Sequence, residues 1–459
     1  MNIQNRTIYC SDNIHVLRGI NSETVDMIYL DPPFNKKKSF TAPIGSAAEG
    51  ASFKDVFTVN DIDSAWTNEI GEDYPELLDY IGSLEKFADV SDMAYITYMG
   101  IRLIHCKRIL KETGSIFYHC DDTMQHYIKI MMDIIFGRSN FQNELNWRRA
   151  TNHSDGKRFG RITDAILWFT KSDKYKFNNV YIPRDDVAGY FPYTEPGTNR
   201  RYRRNVITGP GKQNSLIING QKMMSHPGRM YWSQSKFDEA MANGRIDITD
   251  KNTPYHKMYM DEDKGIQAQD LWIDIPTKAM KKAEKKGYPT QKPLELLRRL
   301  IKATTDEGDI ILDPFCGCAT APVAAEELNR GWIGVDVSPK AYELIRDRLK
   351  EDVSGMIEGQ TDLFKNETHV FLKMEAPERT DIDVIEAENE PRKKSRYVPN
   401  VVKEFVYNRD GGACVSCGSS ENIAYDHIIP FSKGGSNTIE NLQILCQSCN
   451  SQKGNRSHS

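Results

Sequence analysis

The sequence predicts an α/β protein: a parallel sheet covered by helices on both sides, interrupted by an insert and followed by a small metal-bound module. Three observations predict it. Short apolar runs alternate with stretches of helical periodicity up to about residue 140 and again from Pro293. Strands that alternate with helices pair in parallel and need cover on both faces. The stretch 140–285 loses that alternation and is rich in Arg, Lys, Tyr, Asn and Gly, which suits a surface-making insert. Four of the nine cysteines gather late, as Cys414-x2-Cys417 and Cys446-x2-Cys449.

Each element has a local reason. Val25–Leu30 (VDMIYL) is an apolar run of strand formers, and Asp31-Pro32-Pro33 stops it because proline cannot continue a ladder. Residues 36–75 mix Lys, Gly, Ser and Asp and read as a long loop. Tyr95–Leu110 has apolar residues at helical spacing, Ser115–His119 reads as a strand, and Ile128–Phe136 as a helix that ends near Gly137. From Pro293, Leu294, Leu297, Leu300 and Ile301 share a helix face; Asp309–Leu312 is a strand, Thr320–Leu328 a helix and Trp332–Val337 a strand. The expected divisions are 1–140, the insert 141–287, a return to the sheet at 288–351, a linker at 352–395 that turns from acidic to basic, and the module 396–459.

Composition narrows the function. At 459 residues the chain has room for two to four domains, and 39% apolar residues suffice for a core. No stretch approaches the roughly 18 apolar residues that crossing a bilayer takes, and no membrane partner is expected. The N-terminus lacks a basic-then-apolar leader, so a cytoplasmic protein is expected. An odd cysteine count in a reducing compartment makes paired CxxC units metal ligands rather than disulfides. The net charge of −4 hides an asymmetry: residues 141–290 sum to +9 and residues 351–390 to −9. Such asymmetry points to nucleic acid.

Asp313-Pro314-Phe315-Cys316-Gly317-Cys318 follows a strand and leads into a helix, and Asp336 ends the next strand, 23 residues after Asp313. Ligands of open α/β sheets sit at the carboxyl ends of strands, and an acidic residue at about that spacing takes ribose hydroxyls. There is no full GxGxxG, so spacing alone leaves a nucleoside cofactor and a tight packing turn both open. The segment resembles the S-adenosylmethionine motif of the amino DNA methyltransferases, Asp31-Pro32-Pro33-Phe34 their catalytic motif, and Tyr288-Pro289-Thr290-Gln291-Lys292-Pro293 their (H/Y)PTQKP signature. The catalytic motif comes first, which is the permuted order of the β class; Ser115–Asp122 and Ile207–Gly211 are similar to its Type III-modification-like members. One departure is Cys318-Ala319 where the family has Ser-Gly.

The resemblance implies a Rossmann-like methyltransferase sheet. Asp313, Phe315 and Gly317 would line S-adenosylmethionine, Asp336 would hold its ribose, and Thr290, Gln291 and Lys292 would lie near its methionine end, with Asp12 a further candidate. The exocyclic amine of adenine or cytosine is a poor nucleophile, its lone pair being delocalised into the ring. Asp31 and the Pro32 carbonyl would accept its N–H groups and favour a pyramidal nitrogen. Pro32 and Pro33 hold the loop with little entropy to lose, and Phe34 offers a stacking face to a base flipped from the duplex. Asp at the first motif position implies adenine N6; cytosine N4 is the alternative. In the insert, Trp147, Arg148, Arg149, Lys157, Arg158, Arg201, Arg203 and Arg204 are candidates for contacting double-stranded DNA. A homodimer is possible by the same resemblance.

The four late thiolates can hold Zn²⁺ tetrahedrally with no open position. Between and after them, Asp426-His427-Ile428-Ile429-Pro430, Gly434-Gly435, Asn441, Asn450 and Lys453 resemble the HNH nuclease motif. That resemblance implies His427 as the base that activates water, Asn441 as its orienting residue, and Asp426 with Asn450 as ligands of Mg²⁺ or Mn²⁺. Asn450 stands where many members have His. Three readings follow: a methyltransferase fused to a nuclease; a solitary methyltransferase whose zinc module only binds DNA; and, third, methylation of RNA or protein.

Overall fold

The computed structural model describes residues 2–459 except 44–45, 47–51, 276, 278–279, 281–284, 286, 289, 350–369, 382–397, 399, 436, 438, 455 and 457–459. Its centre is a nine-stranded sheet in the order Leu271–Trp272, Phe141–Arg148, Thr163–Thr170, Leu110–Cys120, Val25–Leu30, Ile310–Asp313, Gly331–Asp336, Thr7–Cys10, Phe371–Lys373. Every pairing is parallel except the two made by Thr163–Thr170.

The strands are apolar on both sides, and alternation sends neighbouring residues to different cores. Ile28 and Tyr118 face one cluster with the helices Asn13–Gly19, Pro75–Leu84, Val90–Ile109 and Gln125–Phe136. Met27 and Phe117 face the other, with the helices Leu294–Thr304, Thr320–Glu327 and Pro339–Arg348. Local signals set the ends: Asp12 caps Asn13–Gly19 by accepting from the Ile14 N–H, and Asp89 caps Val90–Ile109 by accepting from Asp92 N–H.

Three sequence expectations are corrected. The long loop 36–75 contains a hairpin, Lys38–Thr41 with Ser52–Asp55, and a helix, Ser64–Asp73, which buries Trp66 and Ile70. The insert is narrower than 141–287: Phe141–Arg148, Thr163–Thr170 and Leu271–Trp272 hydrogen-bond into the large sheet, and the separately compact unit is Asn179–Ala268. Edge strands of mixed polarity such as Phe141–Arg148 (FQNELNWR) look like loop in sequence. The expected linker 352–395 falls mostly outside the described residues, but Phe371–Lys373 pairs with Thr7–Tyr9 and Asp381 accepts from the Ser22 N–H.

The unit Asn179–Ala268 has its own four-stranded antiparallel sheet, Ile246–Ile248, Pro254–Tyr259, Arg201–Val206, Tyr193–Thr194. Its core of Ile207, Leu216, Ile218, Phe237 and Ile246 includes the helix Gln234–Ala242. The C-terminal module has a helix, Asn400–Arg409, an antiparallel hairpin of Ile423–His427 with Leu442–Cys446, and a closing helix, Gln447–Lys453.

Candidate active sites

Asp31 and Asp313, 282 positions apart, end adjacent parallel strands, since Met27 pairs with Ile311 and Ile28 with Leu312. Both carboxylates line one cavity of about 480 Å³, together with Phe34, Gly317, Asp336 and Lys292. Every described residue that the sequence assigned to cofactor or catalysis in the large domain lines it: Pro32, Pro33, Thr290, Gln291 and Phe315 as well, and Asp12. Pro289 lies outside the described residues.

The cofactor end is a set of tight turns. Gly317 has φ +47°, and a Cβ there would stand 3.0 Å from the Tyr288 ring, so a side chain would be strained and crowded where glycine is not. Asp336 accepts from the Gly317 N–H at 2.9 Å and the Ser338 N–H at 2.8 Å, which fixes the carboxylate at the strand end. Burial raises its pKa, and those two N–H groups resist the rise. Asp313 is pushed further up by burial, with Asp31 and Asp336 adding to it. Ala319, the departure from the family turn, adopts the left-handed region at φ 62° with its methyl fully buried, and Thr290, which is exposed, adopts that region too at φ 64°. Two strained non-glycine residues thus flank one pocket.

The end of the cavity that holds Asp31 and Phe34 is organised by Lys292. Its ammonium lies 2.7 and 2.6 Å from the two oxygens of Asp31, and it also donates to the Thr290 carbonyl at 3.3 Å. The side chains are 7% and 19% exposed, so the pair is largely shielded from water. Phe34 is buried to 7% but faces the cavity, with the Lys36 and Lys292 ammonium groups 4.9 and 5.4 Å from its ring centre. Sequence reasoning missed Tyr29, Lys36, Trp66 and Tyr98, which also line the cavity. Trp66 gave no signal because it sits in the segment that reads as loop. The buried Arg102, stacked 3.3 Å from the Tyr98 ring centre and bonded to Asp12, holds that wall.

The DNA candidates divide. Trp147 is corrected: it is 1% exposed, its indole N–H donates to the Ile275 carbonyl at 2.7 Å, and a ring so enclosed cannot reach a base. Lys157 and Arg158 are exposed, Arg158 pairing with Asp155. Arg148 donates to the Ile273 carbonyl and Arg149 to Asp164. Arg201, Arg203 and Arg204 lie in the other unit, on one strand. There Arg204 bonds Asp247 at 2.7 Å, Arg201 the Ala188 carbonyl at 2.5 Å, and Arg203 lies 4.8 Å from the Tyr190 ring centre.

In the C-terminal module the four sulfurs of Cys414, Cys417, Cys446 and Cys449 lie within 4.8 Å of one another, as a tetrahedral Zn²⁺ site needs. His427 Nε2 sits 2.7 Å from Asn437 Oδ1. Asn441 clamps the loop, accepting from the Ile429 N–H at 2.8 Å and donating to the Ile429 carbonyl at 3.1 Å. Gly435 is required there, because a Cβ would collide with the Ile429 carbonyl oxygen at 1.8 Å. Asp426 is held by the Lys453 ammonium at 2.5 Å and by Gln443 at 3.2 Å. A cation at Asp426 and Asn450 would have to draw that carboxylate away from Lys453.

The site is thus a strand-end cavity lined by the turns that carry Asp313, Gly317 and Asp336 and by the Asp31-Pro32-Pro33 corner. Residues 25–347 match the model of the N6/N4 DNA methylase family, well over half of the chain, and the protein belongs to that family. Residues 414–456 match the HNH endonuclease model. The chain is 30% identical over 265 residues to the Type II methyltransferase M.EcaI of Enterobacter cloacae, covering 57% of this chain and 58% of that one. It is 25% identical over 336 residues to the Type III restriction-modification enzyme StyLTI Mod subunit of Salmonella typhimurium, covering 69% and 49%. It thus spans about half the length of these curated relatives. Among solved structures, the M1.HpyAVI–SAM complex aligns with 75% of this chain and 99% of its own at 15% identity and a TM-score of 0.33. Among the described residues no helix is long and apolar enough to cross a membrane.

Proposed function

We propose that this protein methylates the N6 amine of adenine in double-stranded DNA and that its C-terminal module cuts DNA, as parts of one restriction-modification or phage-defence system. The observation that carries the reading is the convergence of Asp31 and Asp313 on one cavity from adjacent strand ends. S-adenosylmethionine, when bound, supplies a methyl carbon made electrophilic by the sulfonium. The cavity suits it: Gly317 brings bare backbone to the cavity wall beside Tyr288, and Asp336 ends its strand where ribose hydroxyls would lie. Asp31 and the Pro32 carbonyl accept the amine N–H groups of the extruded base, and Phe34 stacks its ring. Asp31 must first leave Lys292, so base entry exchanges an ion pair for hydrogen bonds to the target. Arg148, Arg149, Lys157, Arg158, Arg201, Arg203 and Arg204 contact phosphates or base edges. Most of this work is positioning and electrostatics.

In the module, Zn²⁺ on the four cysteines is structural and has no open position. His427 would take a proton from water, Asn441 fixes the loop that follows it at Ile429, and Asp426 with Asn450 would hold Mg²⁺ or Mn²⁺, which would supply charge stabilisation to the scissile phosphate. The reading places the protein with DNA in the cytoplasm; it also includes a homodimer, which sedimentation would reveal as twice the chain mass. Long-read sequencing of DNA from cells expressing the chain tests it. N6-methyladenine in one sequence context is expected; unmodified DNA, or N4-methylcytosine, overturns the adenine assignment.

A further inference from the structure

A polar line crosses the large sheet directly behind the Asp31-Pro32-Pro33 corner; Tyr29 at one end lines the cavity, Arg149 at the other is a DNA-contact candidate, and His119 between them has no role in the site described so far. Tyr29, His119 and Asp164 come from three consecutive strands, Val25–Leu30, Leu110–Cys120 and Thr163–Thr170, and Arg149 follows directly on a fourth, Phe141–Arg148. The Tyr29 hydroxyl lies 2.9 Å from His119 Nδ1, His119 Nε2 lies 3.3 Å from Asp164 Oδ2, and Arg149 Nε donates to Asp164 Oδ1 at 2.8 Å. His119 is fully buried, and its imidazole lies parallel to the Phe34 ring, with centres 5.9 Å apart and planes 23° apart. Trp147 meets the imidazole edge-on at 5.6 Å, so the ring is held on a further side.

The hydrogen bonds fix which nitrogen carries the proton. Burial raises the Tyr29 phenol well above its ordinary value, so it stays protonated and can donate. Burial would also raise Asp164, but the His119 hydrogen bond and the charges of Lys292 and Arg149 bring it below the usual range, so it is an anion that needs a donor. Burial, reinforced by the Lys292 charge, lowers His119 and keeps it neutral. A neutral imidazole satisfies both neighbours in one tautomer only, with Nδ1 accepting from Tyr29 and Nε2–H donating to Asp164. A hydrogen-bonded ring between two fixed partners is a rigid floor, whereas an aliphatic side chain there could rotate.

We propose that His119 is a positioning residue for methyl transfer: it sets the Phe34 ring from behind, anchored through Asp164 to Arg149, so that the flipped base stacks at the angle attack requires. The inference rests on the reading of Phe34 as the stacking face. His119 touches neither base nor cofactor in this arrangement and acts through Phe34.

The test is a double-mutant cycle on the full chain once sequencing has given the recognition site: kcat is read on duplex with adenine at the target, and fluorescence lifetime separately on duplex with 2-aminopurine there, which reports flipping but has no N6 amine to methylate. His119→Gln keeps a donor and an acceptor for Asp164 and Tyr29 but removes the aromatic floor. It should lower kcat about tenfold, a fraction of what a 1 Å misplacement costs, while the dissociation constants for cofactor and DNA change by less than about threefold. The 2-aminopurine lifetime should lengthen as stacking loosens. In the Phe34→Ala background His119→Gln should lower kcat no further. Tyr29→Phe removes one hydroxyl with little change of shape, should fold normally, and should lower kcat in the same direction. Additive effects of His119→Gln and Phe34→Ala would overturn the proposal, as would a kcat loss matched by a loss of cofactor affinity. If His119→Gln does not fold, an unchanged kcat in Tyr29→Phe overturns it. If Phe34→Ala is itself without effect on kcat and lifetime, the stacking reading fails first and takes the proposal with it.

Discussion

Lys292 is the residue whose role changes most between sequence and structure. The signature that contains it resembles a cofactor-contacting segment, yet its ammonium spans both oxygens of Asp31. Removing one member of a largely buried pair leaves the other charge uncompensated, which is costlier than the pair's own net contribution. Lys292→Met should therefore destabilise the large domain by about 3 kcal/mol and depress methyl transfer, read by denaturant unfolding and labelled-methyl incorporation. Wild-type stability would mean that water already screens Asp31. Residue identity was legible where backbone chemistry dictates it: the Pro-Pro corner, Gly317 at positive φ, Asp336 at a strand end. It was not legible for Trp66, Tyr98 and Arg102, because a lone aromatic or arginine announces no partner until the chain is folded.

At the scale of elements, part of the large domain was readable in order, with ends that the structure lengthens: Val90–Ile109 begins before Tyr95, and Leu110–Cys120 extends past Ser115–His119; Thr7–Cys10, Asn13–Gly19, Pro75–Leu84 and Thr163–Thr170 are elements that the sequence reading did not place. Phe141–Arg148 and Leu271–Trp272 were unreadable because they are polar or only two residues long, and their partners are remote in sequence. The C-terminal module was readable as a cysteine spacing but not as a docked element. Asn68, on Ser64–Asp73, accepts from the Ile439 N–H at 2.8 Å, so the module packs on a helix that also lends Trp66 to the cofactor cavity. His427→Ala should abolish Mg²⁺- or Mn²⁺-dependent nicking and leave methylation unchanged, measured on plasmid and by methyl incorporation. Metal analysis of the same protein should give about one zinc per chain. A folded preparation without zinc, or nicking that survives the substitution, would contradict the assignment of these residues.

The whole molecule responds to pH through its buried ionisable groups. Burial lowers both His105 and His119 below the usual 6.5. Below pH 6.5 the unfolded chain binds protons that the folded chain resists. Stability is therefore full above 6.5 and is lost as pH falls through that value toward the lowered ones. Asp313 and Asp336, both raised, act in the opposite sense, since acidification relieves their burial. The comparison that isolates the histidine contribution is between proteins that share those carboxylates. Between pH 7.5 and 5.5 the melting temperature of wild type should fall more than that of His119→Gln, by calorimetry. Equal slopes would show that His119 is not held neutral.

Methyl transfer by this route requires Asp31 to act on a base in the same cavity as the proposed cofactor site. The most direct measurement is methyl transfer from labelled S-adenosylmethionine by Asp31→Ala, beside its cofactor affinity by calorimetry. Loss of transfer with cofactor affinity within about threefold of wild type is expected, as for a group that works on the reaction rather than on uniform binding. Undiminished methylation by that variant would contradict the central claim.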